Sequence, residues 1–389
     1  MSLYLQDDSA LFFGRKSILV AEKETRLSDY EPCYFPKKMI MSLTSRCNLR
    51  CAHCMRSRCA DMGDSAMTRE MVDHVVRTFF PKITCMQLGG IDFGEQMLSP
   101  HFGYFLSKVQ EYGVGLDLVT NGTLIRKDNA GALASSAARV MLSVEGIGPN
   151  YKKVRGVGWE RFRGNIEALL EARSSAGTDD RAIVCLNICA IREFRDDYFR
   201  LADYSKEAGV DLMILRDLIP NRIGERAMSF LYHEQEHNEF YSELKEYAEG
   251  LGVKIAVPPP IPLEKRARNQ FRRKACTLPF EVFGLLSDGK IVTCCLGEAF
   301  DLGQLSTDDN DIMPLWNSER YKQIRNSVNT MAPPEPCRLC EAVNYNALAY
   351  RPTKAYLMMK QLLTERLPGA RRFKNIVKKG RRALLGQRT

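Results

Sequence analysis

Apolar residues along this chain recur at two spacings, one typical of strands and the other typical of helices. Short apolar or β-branched runs predict six strands, over residues 38–44, 85–90, 115–122, 140–146, 182–191 and 210–218. Amphipathic stretches alternate with them, over the residues that follow Thr68, a candidate N-cap, and over residues 102–112, 160–174, 197–208 and 235–250. This alternation predicts an α/β fold built from repeated βα units.

Six parallel βα units are fewer than the eight that close a barrel, so we expect a partial (β/α)6 TIM-like barrel. Its chemistry should lie at the carboxyl ends of the strands. Later residues predict a β-hairpin that turns at Asp288-Gly289, and a short helix after Trp316. The predicted segments are an arm (1–37), the barrel (38–252), a proline-rich and charged linker (253–275), a small hairpin-plus-helix module (276–345) and a helical tail (346–389).

Composition and charge narrow the class of protein. The 389 residues are 45% hydrophobic, which is enough for one large core and a smaller module. We find no run of eighteen apolar residues and no basic secretory signal, so we expect a cytoplasmic protein. Thirteen cysteines in such a chain favour metal ligands or buried thiols over disulfides.

The net charge of +9 comes from the tail, because residues 366–389 hold nine basic residues and no acid. Apolar residues recur at helical spacing between these charges, at Phe373, Ile376, Val377, Leu384 and Leu385. The tail is therefore predicted to be a basic amphipathic helix, either solvated or placed on an anionic membrane surface or an acidic partner. No set of stacking aromatic residues accompanies the charge, so we do not expect nucleic acid as a partner.

A first group of cysteines, Cys47, Cys51 and Cys54, follows the first strand with Cx3Cx2C spacing. Three thiolates cannot close a four-iron cluster, so one iron stays open to another ligand. A structural zinc site completed by His53 or by a distant CxxC pair is the alternative for these cysteines.

The Cx3Cx2C loop after strand one of a six-fold βα chain resembles the radical S-adenosylmethionine (SAM) superfamily. Over residues 38–220 the resemblance implies a [4Fe-4S] cluster whose open iron chelates SAM. It further implies that a reductant such as flavodoxin or ferredoxin drives cleavage of SAM to a 5′-deoxyadenosyl radical, which abstracts a hydrogen atom from the substrate.

The resemblance also implies which residues bind SAM. The string GEQML at 94–98 matches the family's GEP-type motif, with Gln96 where the family usually has proline. Other matches are the TNG that ends strand three, two polar positions, Ser143 and Glu145, at the end of strand four, and the segment YKKVRG. The SAM-binding positions implied in this way are Gly94, Glu95, Thr120, Asn121, Ser143, Glu145 and Arg155.

A second group of cysteines lies downstream with the spacing C-x12-G-x4-C followed by CxxC. It resembles a SPASM domain in its shortened, twitch form, which implies one auxiliary [4Fe-4S] cluster. The implied ligands are Cys276, Cys294, Cys337 and Cys340. Cys295 competes with Cys294 for the second position. Four thiolates close such a cluster, so it would accept an electron or order the fold; a zinc ribbon is the alternative.

Two further residues are predicted to be catalytic. The strand period places Cys185, Asn187 and Cys189 on one face of strand five, where Cys189 would donate a hydrogen atom to a substrate radical or simply fill the core. The resemblance implies that Arg216, near the end of strand six, points into the barrel mouth. There it would hold a carboxylate, act as a base or form an ion pair at the rim.

Three functions fit these observations. The first is dehydrogenation or epimerisation of a small sugar or aminocyclitol. The second is maturation of a ribosomal peptide or protein, although the 37 residues before the barrel are fewer than a fused peptide-recognition domain needs. The third is a zinc-stabilised binding or scaffold protein without turnover.

Overall fold

The computed structural model describes residues 34–58, 63–175, 182–220, 223–261, 263, 276–294, 300, 302–308, 311–330, 332–334 and 337. The predicted basic tail and most of the predicted N-terminal arm lie outside these residues, as do Cys33, Cys59, Cys295 and Cys340. Within them, no helix is long and apolar enough to cross a membrane.

The strands of the described residues form one open sheet in the order β7-β6-β5-β4-β3-β2-β1-β8-β9. All neighbours are parallel except β8 and β9, which pair antiparallel. The strands are β1 (Lys38–Met41), β2 (Cys85–Leu88), β3 (Gly115–Thr120), β4 (Ala137–Val144), β5 (Ile183–Ala190), β6 (Leu212–Asp217), β7 (Ile255–Ala256), β8 (Val282–Leu285) and β9 (Ile291–Val292). The six predicted strands are β1 to β6, so the predicted partial barrel is confirmed.

Helices connect the strands of the barrel: α1 (Met55–Arg58), α2 (Arg69–Phe79), α3 (Phe102–Tyr112), α4 (Lys127–Ser136), α5 (Pro149–Arg155), α6 (Trp159–Ser175), α7 (Arg195–Ala208) and α8 (Glu234–Gly250). Within the described residues, three short helices belong to the C-terminal hairpin: α9 (Leu278–Glu281) before β8, and α10 (Met313–Trp316) and α11 (Glu319–Val328) after β9. Thr68 caps α2 as predicted, because its side chain accepts a hydrogen bond from the Met71 amide.

The two faces of the strands bury different residues. On β5, Val184, Leu186 and Ile188 are fully buried in the main core beneath the helices. The alternate residue Cys185 lies on the inner face. There it joins a small second apolar cluster with Met141, Leu212 and Ile214. This cluster fills the barrel interior below the carboxyl ends of the strands.

The C-terminal hairpin continues the sheet of the barrel. β8 lies parallel to β1, with Met39 opposite Phe283, and the hairpin turns at Gly289, whose φ is 87°. Trp316 packs against both Phe283 and Tyr321, so the short helices cover the hairpin from one side. The hairpin and its helices therefore share the core of the barrel.

Candidate active site

The Cx3Cx2C loop begins six residues after the end of β1 and lies beside α5. The Ala52 amide donates to the Val154 carbonyl at 2.9 Å, and the Cys54 amide donates to the Cys51 carbonyl at 3.1 Å. Cys51 is buried, whereas Cys47 and Cys54 are half-buried. Burial raises the pKa of the Cys51 thiol to about 11, although the nearby Arg155 guanidinium opposes the rise. The backbone therefore fixes the loop against the barrel.

Arg155 connects the loop to the end of β4. Its Nε and Nη2 donate to the two carboxylate oxygens of Glu145, each at 2.5 Å, and its Nη1 donates to Cys51 Sγ at 3.5 Å. The Nε2 of His53 lies 3.5 Å from Glu145 Oε1. Because a bidentate arginine has fixed geometry, this pair holds a positive N–H group against one cysteine sulfur. Glu145 and Arg155, which the sequence resemblance put at the site, lie together beside the loop.

Asn121 likewise places a side-chain N–H group near a cysteine sulfur, that of Cys47. Its Nδ2 lies 3.8 Å from Cys47 Sγ and donates to Asn48 Oδ1 at 2.9 Å. Its Oδ1 accepts from the Thr123 hydroxyl, which in turn accepts from Asn48 Nδ2. Asn48 and Thr123 were not among the predicted site residues. Their signal was position alone, because each lies within two residues of a predicted site residue.

Glu95 is buried and fully engaged by protein donors. Its carboxylate accepts from the Thr120 hydroxyl at 2.8 Å, from the Asn121 amide at 2.7 Å and from the Met97 amide at 3.3 Å. Burial raises the pKa of this carboxyl, and these hydrogen bonds lower it again in part. In this arrangement Glu95 ties the loop after β2 to the end of β3, next to the cysteine loop.

Gln96 stands where the resembling family usually has proline, and its side-chain amide binds the segment that follows β1. The Oε1 atom accepts from the Leu43 amide at 2.6 Å, and Nε2 donates to the carbonyls of Thr44 and Gly94. At Gly94 a Cβ atom would lie 2.0 Å from the Thr44 carbonyl oxygen, so only glycine fits. The loop thus packs directly on the segment that follows β1.

The barrel mouth carries polar side chains from three neighbouring strands. Ser143 on β4 lies opposite Asn187 on β5, and the Nε of Arg216 on β6 donates to Asn187 Oδ1 at 3.2 Å. All three are half-buried. Cys189 lies opposite Arg216 in the register of β5 and β6, and burial raises the pKa of its thiol to about 12. Ser143, Asn187, Cys189 and Arg216 therefore share the inner face above the second apolar cluster.

The second group of cysteines lies against the hairpin and its helices. Cys276 is buried, and its backbone amide and carbonyl are held by the Asn329 side chain at 2.7 and 3.1 Å. Cys294 follows β9, and both it and Cys337 are half-buried against the main core. The fourth predicted ligand, Cys340, and the competing Cys295 lie outside the described residues.

The residues of the first loop suit an iron–sulfur cluster by their chemistry. Two of its sulfurs have N–H groups aimed at them, from Arg155 and Asn121, and such donors stabilise the negative charge of ligated thiolates. Within the part of the chain that the structure describes, no three His, Cys, Asp or Glu side chains are close enough together to hold a single metal ion. The fit therefore rests on the donors around the sulfurs.

Comparison with family models matches two stretches of the chain. Residues 41–225 match the model of the radical SAM superfamily. Residues 276–341 match the SPASM model, described as an iron–sulfur cluster-binding domain. The first stretch begins at the last residue of β1 and contains the Cx3Cx2C loop and β2 to β6, and the second contains the hairpin and the CxxC pair.

Individual relatives are distant. A tungsten-containing aldehyde ferredoxin oxidoreductase cofactor-modifying protein of Pyrococcus furiosus is 27% identical over 194 residues, which is 47% of this chain and about half (52%) of the relative. The mycofactocin maturase MftC of Mycobacterium ulcerans is 27% identical over 43% of this chain and 44% of its own. Streptococcus suis SuiB bound to S-adenosylmethionine has the same fold, with a TM-score of 0.61 and 16% identity over 80% of this chain and 72% of its own.

Proposed function

Because this chain belongs to the radical SAM superfamily and carries a SPASM-type iron–sulfur domain, we propose that it dehydrogenates a hydroxyl-rich small molecule of the sugar or aminocyclitol class. Its family makes it a radical SAM enzyme with [4Fe-4S] clusters and SAM as cofactors. The two matched models disfavour the alternative of a zinc-stabilised scaffold protein, since one is the radical SAM superfamily and the other is an iron–sulfur cluster-binding domain.

We assign the first cluster to Cys47, Cys51 and Cys54 and the second to Cys276, Cys294, Cys337 and Cys340. When the enzyme holds both the first cluster and SAM, the two together provide the radical that abstracts a hydrogen atom from the substrate. Arg155 and Asn121 would stabilise the thiolate sulfurs of this cluster through their N–H groups. Gly94, Glu95, Thr120, Ser143 and Glu145 would shape the adjoining SAM site, with Glu95 acting through the Thr120 hydroxyl and the Asn121 amide.

The main observation in support of this proposal is the row of polar side chains at the barrel mouth. Ser143, Asn187 and Arg216 offer a hydroxyl, an amide and a guanidinium on three adjacent strands, above an apolar floor. Such groups pair with several hydroxyls of one polyol, whereas a pocket for an apolar side chain would be lined mainly with hydrophobic residues. Arg216 would in addition hold an anionic group of the substrate.

Conversion of a carbinol to a ketone removes one hydrogen atom, one proton and one electron from the substrate. The hydrogen atom would be lost by abstraction, the proton would pass to solvent, and an auxiliary cluster held by the four cysteines of the second group would accept the electron. The first group needs electrons from outside, and we propose that a reductant of the flavodoxin or ferredoxin type supplies them.

Deuterated alcohols test the proposal. Reconstituted, reduced enzyme is offered sugars and aminocyclitols that carry deuterium at one carbinol carbon, and 5′-deoxyadenosine is analysed by mass spectrometry. We expect deuterium in 5′-deoxyadenosine and a product two mass units lighter than the unlabelled substrate. Arg216→Ala should raise KM, whereas the control Arg200→Ala, whose side chain is 61% exposed, should not. Absence of label from every alcohol would disprove the substrate class.

Epimerisation differs from dehydrogenation in the fate of the substrate radical. Because the Cys189 thiol is protonated at neutral pH, it has a hydrogen atom to donate, and it lies opposite Arg216. In D2O an epimerase would place one solvent deuterium in its product, and Cys189→Ala would stop this incorporation. A dehydrogenase would show neither result, so this experiment separates the two reactions.

A second candidate function is the maturation of a peptide or of a peptide-derived cofactor. It is favoured by the two relatives, one named a cofactor-modifying protein and the other a maturase. If label enters 5′-deoxyadenosine from a deuterated peptide side chain and not from any alcohol, the substrate is a peptide and Arg216 would hold a carboxylate of that chain.

A further inference from the structure

The loop that follows β2, residues 89–95, carries two buried carboxylates that face different parts of the molecule. Asp92 is 6% exposed and Glu95 is 2% exposed. Between them, Phe93 has a φ of 53°, a left-handed conformation that is unfavourable for a bulky residue, and Gly94 packs directly on the Thr44 carbonyl. The chain therefore adopts a strained turn that directs the two carboxylates to separate partners.

Asp92 binds the turn of the C-terminal hairpin. Its Oδ2 accepts from the Ser287 amide at 3.0 Å and also from the Ser287 hydroxyl. The Ser287 hydroxyl is 2.5 Å from Ser65 Oγ, and Ser65 Oγ is 3.0 Å from Ser45 Oγ. A chain of polar contacts thus runs from the hairpin that leads to Cys294 to a residue two positions before Cys47.

Glu95 binds the opposite side. Its backbone amide donates to the Arg46 carbonyl at 2.7 Å, immediately before Cys47, and its carboxylate holds the end of β3 through Asn121. One short loop therefore contacts the segment that leads into the cysteine loop, the end of β3 and the hairpin.

An open cavity of about 460 Å³ lies between the two modules at this junction and is lined by residues of both, among them Ser45, Ser65, Asp92, Asp288 and Lys290. β8 is fixed to β1 by strand pairing, but the turn beyond β8 borders this cavity. Asp92 is the buried carboxylate that anchors the turn across it.

We infer that Asp92 is a positioning residue that couples the hairpin of the auxiliary module to the SAM-binding end of the barrel. This inference rests on the proposed assignment of Cys47, Cys51 and Cys54 and of Cys294. When the turn is held by Asp92, the 89–95 loop holds Glu95 and the Arg46 carbonyl in place. When it is released, both sites loosen together. Such coupling is reciprocal, so SAM binding must also order the hairpin turn.

Amide hydrogen exchange tests this coupling without catalysis. SAM is added to the oxidised, reconstituted protein without reductant, and exchange is followed over residues 286–292. We expect SAM to slow exchange of this turn about tenfold in the wild type. In Asp92→Ala the protection should disappear and SAM should bind about tenfold more weakly by equilibrium dialysis.

The neighbouring Asp288 provides the matched control. Asp288→Asn removes a charge from the same turn, beside the same cavity, but the Asp288 carboxylate contacts the amide and the Nζ of Lys290 on that turn. Asp288→Asn should therefore keep both the SAM-dependent protection and the SAM affinity. Ser287→Ala retains the hydrogen bond from the backbone amide of residue 287 to Asp92. Its SAM affinity and its SAM-dependent protection should lie between those of Asp92→Ala and the wild type, and it replaces Asp92→Ala if that variant does not fold.

Two outcomes separate a failure of this inference from a failure of the proposed function. If SAM binds but Asp92→Ala and Asp288→Asn show equal affinity and equal protection, Asp92 has only a structural role and the coupling is disproved. The other outcome is that the wild type binds no SAM, although the hairpin turn exchanges faster in Asp92→Ala than in the wild type. The assignment of the SAM site is then wrong, and the coupling to SAM is disproved with it.

Discussion

The two ends of the barrel use the same kind of buried ion pair for different purposes. Near the amino ends of β3 and β4, Arg139 pairs with Asp117 on the neighbouring strand. Beyond the carboxyl end of β4, Arg155 pairs with Glu145. Both arginine side chains are less than a tenth exposed, at 2% and 8%. Burial and pairing alone therefore do not distinguish a structural pair from a functional one.

The difference lies in what each pair contacts besides itself. At the lower end of the barrel, where the strands have their amino ends, the inner face of the strands continues into the apolar cluster of Met141, Cys185 and Ile214. At the upper end Arg155 donates to Cys51 Sγ, and His53 lies beside Glu145. We therefore propose that the Arg155–Glu145 pair, which also contacts a candidate ligand, supports chemistry, and that the Arg139–Asp117 pair supports the fold. Variants of the upper pair should therefore lower SAM cleavage, whereas variants of the lower pair should lower the free energy of unfolding.

The largest expected effect is at the first cysteine group. Replacing Cys47, Cys51 and Cys54 together by alanine should lower iron from about eight to about four per reconstituted chain and abolish SAM cleavage. Cys85→Ala, at the lower end of the barrel, should change neither. Iron, sulfide and zinc are measured after anaerobic reconstitution. Four irons with one zinc in the wild type would leave the first cluster but contradict the auxiliary one.

Asp117→Ala should have the largest effect on stability at the lower end. It leaves the Arg139 guanidinium buried without its carboxylate, which costs about 3–5 kcal/mol of unfolding free energy. Urea unfolding of the apo protein measures this cost. SAM cleavage by the folded variant at low temperature should match the wild type. A replacement of both residues, Asp117→Leu with Arg139→Met, should recover most of the stability.

Lysine substitutions of the two arginines provide a direct contrast. Lysine cannot make the bidentate bonds of Arg155 to Glu145 and still donate to Cys51, so Arg155→Lys should lower SAM cleavage about 10- to 100-fold. Arg139→Lys should lower the free energy of unfolding and leave cleavage unchanged. Equal losses of cleavage in the two variants would show that the upper pair acts only through the fold.

Sequence periodicity predicted the barrel because each strand and its helix form from neighbouring residues. The first strand was predicted to reach residue 44, but β1 ends at Met41. The strand stops early because the Leu43 amide donates to the distant Gln96 side chain instead of to a neighbouring strand. The periodicity missed α4, whose sequence KDNAGALASS is rich in small residues and has a weak apolar face. It also missed β7, which is two residues long.

The site was predicted to the extent that it consists of motifs. The cysteine loop and Arg155 were found by spacing and by resemblance. Asp92 and Ser287 were not, because their hydrogen bond joins residues 195 positions apart and leaves no local pattern. Asn48 and Thr123, 75 positions apart, were missed for the same reason. Contacts between modules become visible only when the fold brings the modules together.

The smallest expected effect lies on the outer face, remote from both ion pairs. Thr68→Ala removes the side chain that accepts from the Met71 amide at the start of α2, and should lower the free energy of unfolding by about 1 kcal/mol. Thr68→Ser retains the acceptor and should restore most of the loss. Because α2 contacts the core through Val72, Val75 and Phe79 and none of these side chains belongs to the cysteine loop, SAM cleavage should not change. A loss of cleavage in Thr68→Ala would show that the outer helices influence the cysteine loop, and it would remove the distinction between structural and chemical ends.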